Sequence, residues 1–177
     1  MSRILGLDPG PIKTGWAVMD GPAFVGGGVS ENEVVLDWLK KDSMEVDRVA
    51  LEMIASYGMP VGAEVFETCV WIGRFIQASQ RPTVRIGRQP VKLFLCGSPK
   101  AKDPNVRQAI LDLFPRNGGG AVPQVGTKKQ PGPLFGVSSH AWPALAVALY
   151  YNEHYNHAIS LPTAGRSAPR RERVHLL

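Results

Sequence analysis

The chain has no apolar run approaching the roughly 18 residues of a membrane span, and its N-terminus lacks the charged n-region and long apolar h-region of a signal peptide. A soluble, cytoplasmic protein with no membrane partner is expected. Cysteine is scarce: Cys69 and Cys96 have neither metal-ligand spacing nor the density of a disulfide scaffold, and both read as buried or semi-buried free thiols. Acid is scarce in one place. Residues 81–129 carry ten Lys/Arg against two Asp/Glu, whereas residues 1–80 carry six against eleven and residues 130–177 four against two, so net charge is concentrated in the middle. Such a block is what a polyanion partner requires, because neutralising phosphates releases condensed counterions; it is equally what a solvated face looks like.

With 177 residues, 44% of them hydrophobic, there is material for one domain with a proper core and too little for two. The expected division is a globular domain over 1–160 and a basic, disordered tail over 161–177, where four arginines stand with almost no periodic pattern.

The most informative stretch is 4–20, an apolar run that stops on Asp8, turns through Pro9-Gly10-Pro11, and resumes as a second apolar run. A carboxylate at the end of a buried strand is costly without a cation or a donor. Asp-Pro-Gly is also an ordinary turn formula, so the local string supports turn and function equally. Runs at 4–7, 16–19 and 23–29 predict a three-stranded antiparallel meander. Ser30 resembles an N-cap, with Glu31 and Glu33 in the first turn and Val34, Val35, Trp38 and Leu39 at helical spacing. A second short apolar run, 48–54, carries Glu52. Strand, helix and strand imply a parallel pairing, which brings Asp8 and Glu52 out at the same edge, the carboxyl ends of the strands, where open α/β sheets place ligands. Two carboxylates there repel unless a cation intervenes, and hard oxygen donors suit Mg²⁺ or Mn²⁺.

Residues 61–79 predict a long helix, apolar around much of its circumference, so one face remains to be covered by a partner subunit or by the C-terminal helix. A fifth strand is expected at 83–86, a helical turn from Pro90, and a helix capped by Asp103 with Pro104 at its first position. The fold class is therefore α/β, with a mixed five-stranded sheet, the meander plus parallel strands, flanked by helices. Lys92, Lys100, Lys102 and Arg107 lie around the 103 helix, and Lys128 and Lys129 fall in a glycine- and proline-rich segment, 115–139, long enough to be functional or disordered. These six are the candidate contacts to a phosphate backbone. The last helix begins near Ser139, with His140 at its start as either a ligand or a polar end group.

The string Leu7-Asp-Pro-Gly-Pro-Ile-Lys-Thr-Gly-Trp-Ala-Val resembles the first-strand motif of RuvC-type Holliday junction resolvases. Ala50-Leu-Glu-Met matches that family's strand-borne glutamate, and His140-Ala-Trp-Pro-Ala-Leu-Ala-Val-Ala is similar to its last motif. The stretches Glu52 to Gly62 and Leu95 to Asp103 look closest to a bacteriophage branch of these nucleases. The resemblance implies an RNase H-like fold, a homodimer through the helix at 61–79, and metal-dependent incision of branched DNA. Carried over by position, Asp8, Glu52 and His140 are the metal ligands and catalytic residues, with Asp8 bridging two Mg²⁺ or Mn²⁺ ions in phosphodiester hydrolysis. Pro143 is the departure: it stands where the family usually has a further aspartate, and proline holds no metal. A catalytically weakened branched-DNA-binding module is the alternative reading. A nucleotide phosphotransferase on the related actin-like scaffold would need a second glycine-rich phosphate loop.

Overall fold

The computed structural model describes residues 2–155 apart from 57 and 59, so the proposed tail at 161–177 lies outside the described residues. The opening stretch forms β1 (Arg3–Pro9), which doubles back into β2 (Lys13–Asp20) and turns at Gly21 into β3 (Ala23–Glu31). Gly21 has a φ of 56°, a left-handed conformation that costs a residue without Cβ little. Helix α1 (Asn32–Lys41) crosses over to β4 (Arg48–Met53), and α2 (Ala63–Ala78) to β5 (Thr83–Gly87). The five strands form one sheet in the order β3-β2-β1-β4-β5, antiparallel across β1–β2 and β2–β3 and parallel across β1–β4 and β4–β5. The mixed sheet expected from the sequence is the one that forms. Helices α3 (Arg88–Cys96), α4 (Asp103–Leu113) and α5 (Ala141–Tyr155) complete the chain.

Side chains alternate across a strand, and here both sides are apolar because both faces are covered. Leu5, Leu7, Val18, Val49 and Leu51 pack with α1 and α2. Ile4, Ala17, Met19, Ala50 and Ile86 pack with α3, α4 and α5. By the same alternation Asp8 and Glu52 point to the α5 side. The backbone of α5 lies unusually close to that side: a Cβ on Gly6 would stand 2.1 Å from the carbonyl oxygen of Ala144, and a Cβ on Gly15 would stand 2.1 Å from that of His140. Helix α5 is apolar all round because it is sandwiched between the sheet and α3 and α4.

Three boundaries differ from the sequence expectation. Ser30 does not cap α1; β3 continues through Glu31, and the helix phase is set by Asn32, buried with Val35, Leu36 and Leu39, while Val34 faces solvent. Asn32 accepts from Thr14 Oγ1 at 2.6 Å and donates from Nδ2 to the Gly10 carbonyl at 2.9 Å. A helix start is thereby tied to the hairpin turn that follows Asp8. Asn32→Ala would orphan both the Thr14 hydroxyl and the Gly10 carbonyl, costing about 2–4 kcal/mol. At roughly 2–4 °C per kcal/mol for a chain of this size, a clear drop in melting temperature is expected, and an unchanged melt would refute the assignment.

Asp103 is not the cap of α4 but its first residue, with Lys102 before it. The Asn105 side chain accepts from the Lys102 N–H at 3.1 Å, and the Asp103 carboxylate is engaged by Arg88 instead. The last helix begins at Ala141 rather than Ser139, which has a φ of 43°. Pro143 then falls in the first turn, where its missing N–H has no intrahelical partner to lose. His140 is left in the turn ahead of the helix.

Helix α2 covers most of the expected 61–79 span, but only Thr68, Ile72 and Phe75 are buried; Phe66 is 62% and Val70 57% exposed. Helix α5 packs on the opposite face of the sheet, so it is not the cover for α2 that one sequence reading offered. Cys69 on this helix is exposed, not buried, whereas Cys96 is half-buried, and the two form no disulfide with each other. Most of 115–139 is irregular, with a 3-10 turn at Gly118–Gly120. It also holds a small hairpin, unforeseen in the sequence, where Thr127 and Gln130 exchange backbone hydrogen bonds of 2.9 and 3.1 Å and Lys128 and Lys129 form the tip.

Candidate active site

Asp8 is the penultimate residue of β1, paired with Gly15 on β2, and Glu52 follows the Leu7–Leu51 pair of the parallel β1–β4 ladder. Their carboxyls meet within hydrogen-bonding range at the carboxyl edge of the sheet. Glu52 is 4% exposed, and its Oε2 is buried with no conventional donor. Burial pushes Glu52 up to about 8, reinforced by the Asp8 charge and by a hydrogen bond to Asp8, and opposed by Arg88. Burial also raises Asp8, while the hydrogen bond from Glu52 and the Arg88 charge pull the other way. The consistent description is one proton shared by the pair, because two largely desolvated carboxylates side by side do not both ionise.

His140 approaches from the turn before α5, with Nδ1 3.7 Å from Asp8 Oδ2 and its side chain 69% exposed. It reaches the site because Gly15, the cross-strand partner of Asp8, leaves room for the His140 backbone. Thus all three ligand candidates arrive at one edge, Asp8 touching both others. Among the described residues, however, no group of three Asp, Glu, His or Cys side chains closes into a metal-binding cluster.

Two basic residues belong here: Arg88, which the sequence reading does not single out, and Lys92, which it places among the phosphate-backbone contacts. Arg88, the first residue of α3, places Nη1 3.4 Å from Glu52 Oε1 and Nη2 2.9 Å from Asp103 Oδ1. Lys92, one turn on, places Nζ 3.6 Å from Asp103 Oδ1. The hydrogen bond from Arg88, with the nearby cations, holds Asp103 below the usual carboxylate range. Arg88, whose partial burial works against its charge, is nonetheless held above its ordinary value by Glu52 and Asp103. The available signal was position: Arg88 follows directly on β5, at the edge that carries Glu52.

The other basic candidates divide. Lys92 is largely buried against Asp103. Lys100, Lys102, Lys128 and Lys129 are exposed, as is Arg107, whose guanidinium lies 5.1 Å from the centre of the Trp142 ring.

The donor set suits a hard divalent cation. Mg²⁺ is commonly held by one or two carboxylates with waters completing its shell, and Asp8 and Glu52 present such a pair, with a proton that a cation would displace and a buried Oε2 short of a partner.

No protein-family model and no curated protein matches the sequence. Solved structures do. The RuvC structure from Thermus thermophilus matches at a TM-score of 0.56 and 20% identity over 85% of this chain and 95% of that one. The T. thermophilus RuvC structure in complex with a Holliday junction substrate matches at a TM-score of 0.58 and 18% identity over 89% and 97%. At this identity the likeness is one of fold. Sheet order, crossover helices and near-complete coverage together make this chain's architecture that of the RuvC-type resolvases within the RNase H-like fold.

Proposed function

We propose that this protein is a metal-dependent endonuclease that nicks branched DNA, with four-way junctions as its substrate. The observation that carries the reading is the juxtaposition of Asp8 and Glu52, the second of them 4% exposed, at the carboxyl edge of parallel strands. Carboxyls whose affinity for protons is raised by burial and by each other, at the edge where such sheets bind ligands, are candidates for a catalytic metal site.

Asp8 and Glu52 would hold the metal, with His140 at the rim. When bound there, Mg²⁺ or Mn²⁺ supplies Lewis-acid activation of a water and charge stabilisation at the phosphate. Asp8, beside both Glu52 and His140, would orient the attacking water. The exposed His140 imidazole stands where it can move a proton to or from the phosphodiester oxygens. Lys100, Lys102, Arg107 and the Lys128–Lys129 hairpin tip would grip the strands through phosphates, so binding should weaken steeply with salt. The exposed Phe66 and Val70 face of α2 would seat a second copy of the chain, giving a homodimer able to cut two strands.

The test is a panel of labelled linear, forked and four-way DNAs incubated with and without Mg²⁺ or Mn²⁺ at fixed salt. Paired symmetric nicks on the four-way species, present only with metal, are expected. Tight junction binding with no incision under either metal would replace the nuclease reading with that of a binding module, and indifference to branching would remove the junction as substrate.

A further inference from the structure

Beyond the carboxylate pair lies an unusual arrangement: a guanidinium occupies the centre of the charged cluster. Arg88 bridges Glu52 Oε1 at 3.4 Å and Asp103 Oδ1 at 2.9 Å, two carboxylates from β4 and α4 that have no other reason to be near each other. Lys92 adds a second cation at 3.6 Å from the same Asp103 oxygen. We propose that Arg88 is a built-in cation standing where a second divalent ion would otherwise bind, so that this site takes one metal ion and not two. The inference rests on the nuclease reading and specifies how its site is charged.

Three observations support it. The first is space. The cavity bounded by Glu52, Arg88, Lys92, Asp103, Val106 and Pro143 measures about 20 Å³. That volume admits about one water, and a divalent cation with its retained waters does not fit. The second is donor chemistry. Pro143 lines this cavity from α5 with a ring that coordinates nothing, and the Asp103 carboxylate across it is already engaged by Arg88 and Lys92. The third is charge. Ionised Asp8, Glu52 and Asp103 set three negative charges against the two positive charges of Arg88 and Lys92. One divalent ion beside Asp8 turns that net −1 into +1; a second would leave +3 in a half-buried site, which nothing nearby offsets.

Glu52 is then divided between two cations. Its Oε1 is held by Arg88, and its Oε2, which accepts from no conventional donor, is left for the metal. Arg88 is a positioning residue, acting on the metal through Glu52.

The experiment counts Mn²⁺ ions bound by the full-length chain, following the free-ion signal by electron paramagnetic resonance in chelator-treated buffer, with a thermal melt of each variant. The wild type is expected to bind one ion per chain, Arg88→Lys one, and Arg88→Met two, since the freed Glu52 and Asp103 carboxylates then form a second site. Pro143→Asp, with Arg88 intact, is expected to remain at one. Two ions in the wild type, two in Pro143→Asp, or one in a folded Arg88→Met each overturns the proposal while leaving the nuclease reading in place. Should Arg88→Met fail to fold, the wild-type and Pro143→Asp counts decide. No binding in any of the four removes the metal-dependent nuclease and this inference together.

Discussion

Asp8→Asn is expected to abolish metal-dependent incision while leaving junction binding intact, and to make the metal-free protein more stable in alkali. These opposite effects share one cause. The Asp8 carboxylate neighbours both Glu52 and His140, so on the proposed reading its loss removes the charge that would anchor the metal. A fall in incision rate of at least about a thousandfold corresponds to about 4 kcal/mol of barrier. Stability moves the other way. The Glu52 carboxyl rises from an ordinary 4.5 to about 8 on folding, so its contribution is full below about pH 4.5 and is lost as pH rises through about 8. Removing Asp8 takes away its charge and its hydrogen bond and leaves burial and the Asp103 charge raising Glu52 against Arg88. Thermal melts in chelator should therefore coincide near pH 4.5 and separate above pH 8, with the variant ahead by on the order of 1–2 kcal/mol. Added Mg²⁺ should raise the wild-type melting temperature more at high pH than at low, and should not raise that of the variant. A variant that still cuts, or melts that run parallel at every pH, would refute the shared-proton pair.

Gly15→Ala should be the most damaging single methyl on the hairpin. The added Cβ would fall 2.1 Å from the His140 carbonyl oxygen and 2.6 Å from its carbonyl carbon. These are backbone atoms at the entry to α5 and cannot rotate away, so the turn must shift; overpacking of this kind costs about 1–3 kcal/mol. Displacing His140 by about 1 Å relative to Asp8 should reduce incision about a hundredfold. Gly26→Ala on β3, with nothing within 4 Å of the new methyl, is the matched control and should be neutral in both measurements. Equal behaviour of the two variants would mean that Gly15 does not set the position of His140.

The sheet and its carboxylates were legible because their signals are local. Period-two and fully apolar runs marked all five strands, and a strand–helix–strand order with one allowed handedness placed Asp8 and Glu52 at one edge. What was illegible depends on contacts across the chain. Asn32 sets the start of α1 through Thr14 and Gly10, eighteen and twenty-two residues away, whereas Ser30 had only a local cap formula in its favour. Asp103 looked like a cap until Arg88, fifteen residues earlier, claimed its carboxylate. Arg88 itself sat unnoticed in the basic block that pointed to DNA, because charge composition does not say which cations face inward. Val34 and Leu36 exchanged places in the α1 pattern for a related reason: a one-residue change in helix start rotates every side chain by about 100°.

The two layers on this sheet are held with very different strength. Helix α5 buries Ala141, Leu145, Leu149 and most of its length between sheet and helices, while α2 fully buries only Thr68, Ile72 and Phe75, with Trp71 and Ala78 packed partly beside them. Local opening free energy follows burial, so amide protons of α2 should exchange with solvent through small fluctuations, and those of β1 and α5 only when the whole domain unfolds. The helix proposed to seat a second copy is thus less firmly anchored than α5. Association would be felt there first, as protection gained by a helix that the isolated chain leaves free to breathe.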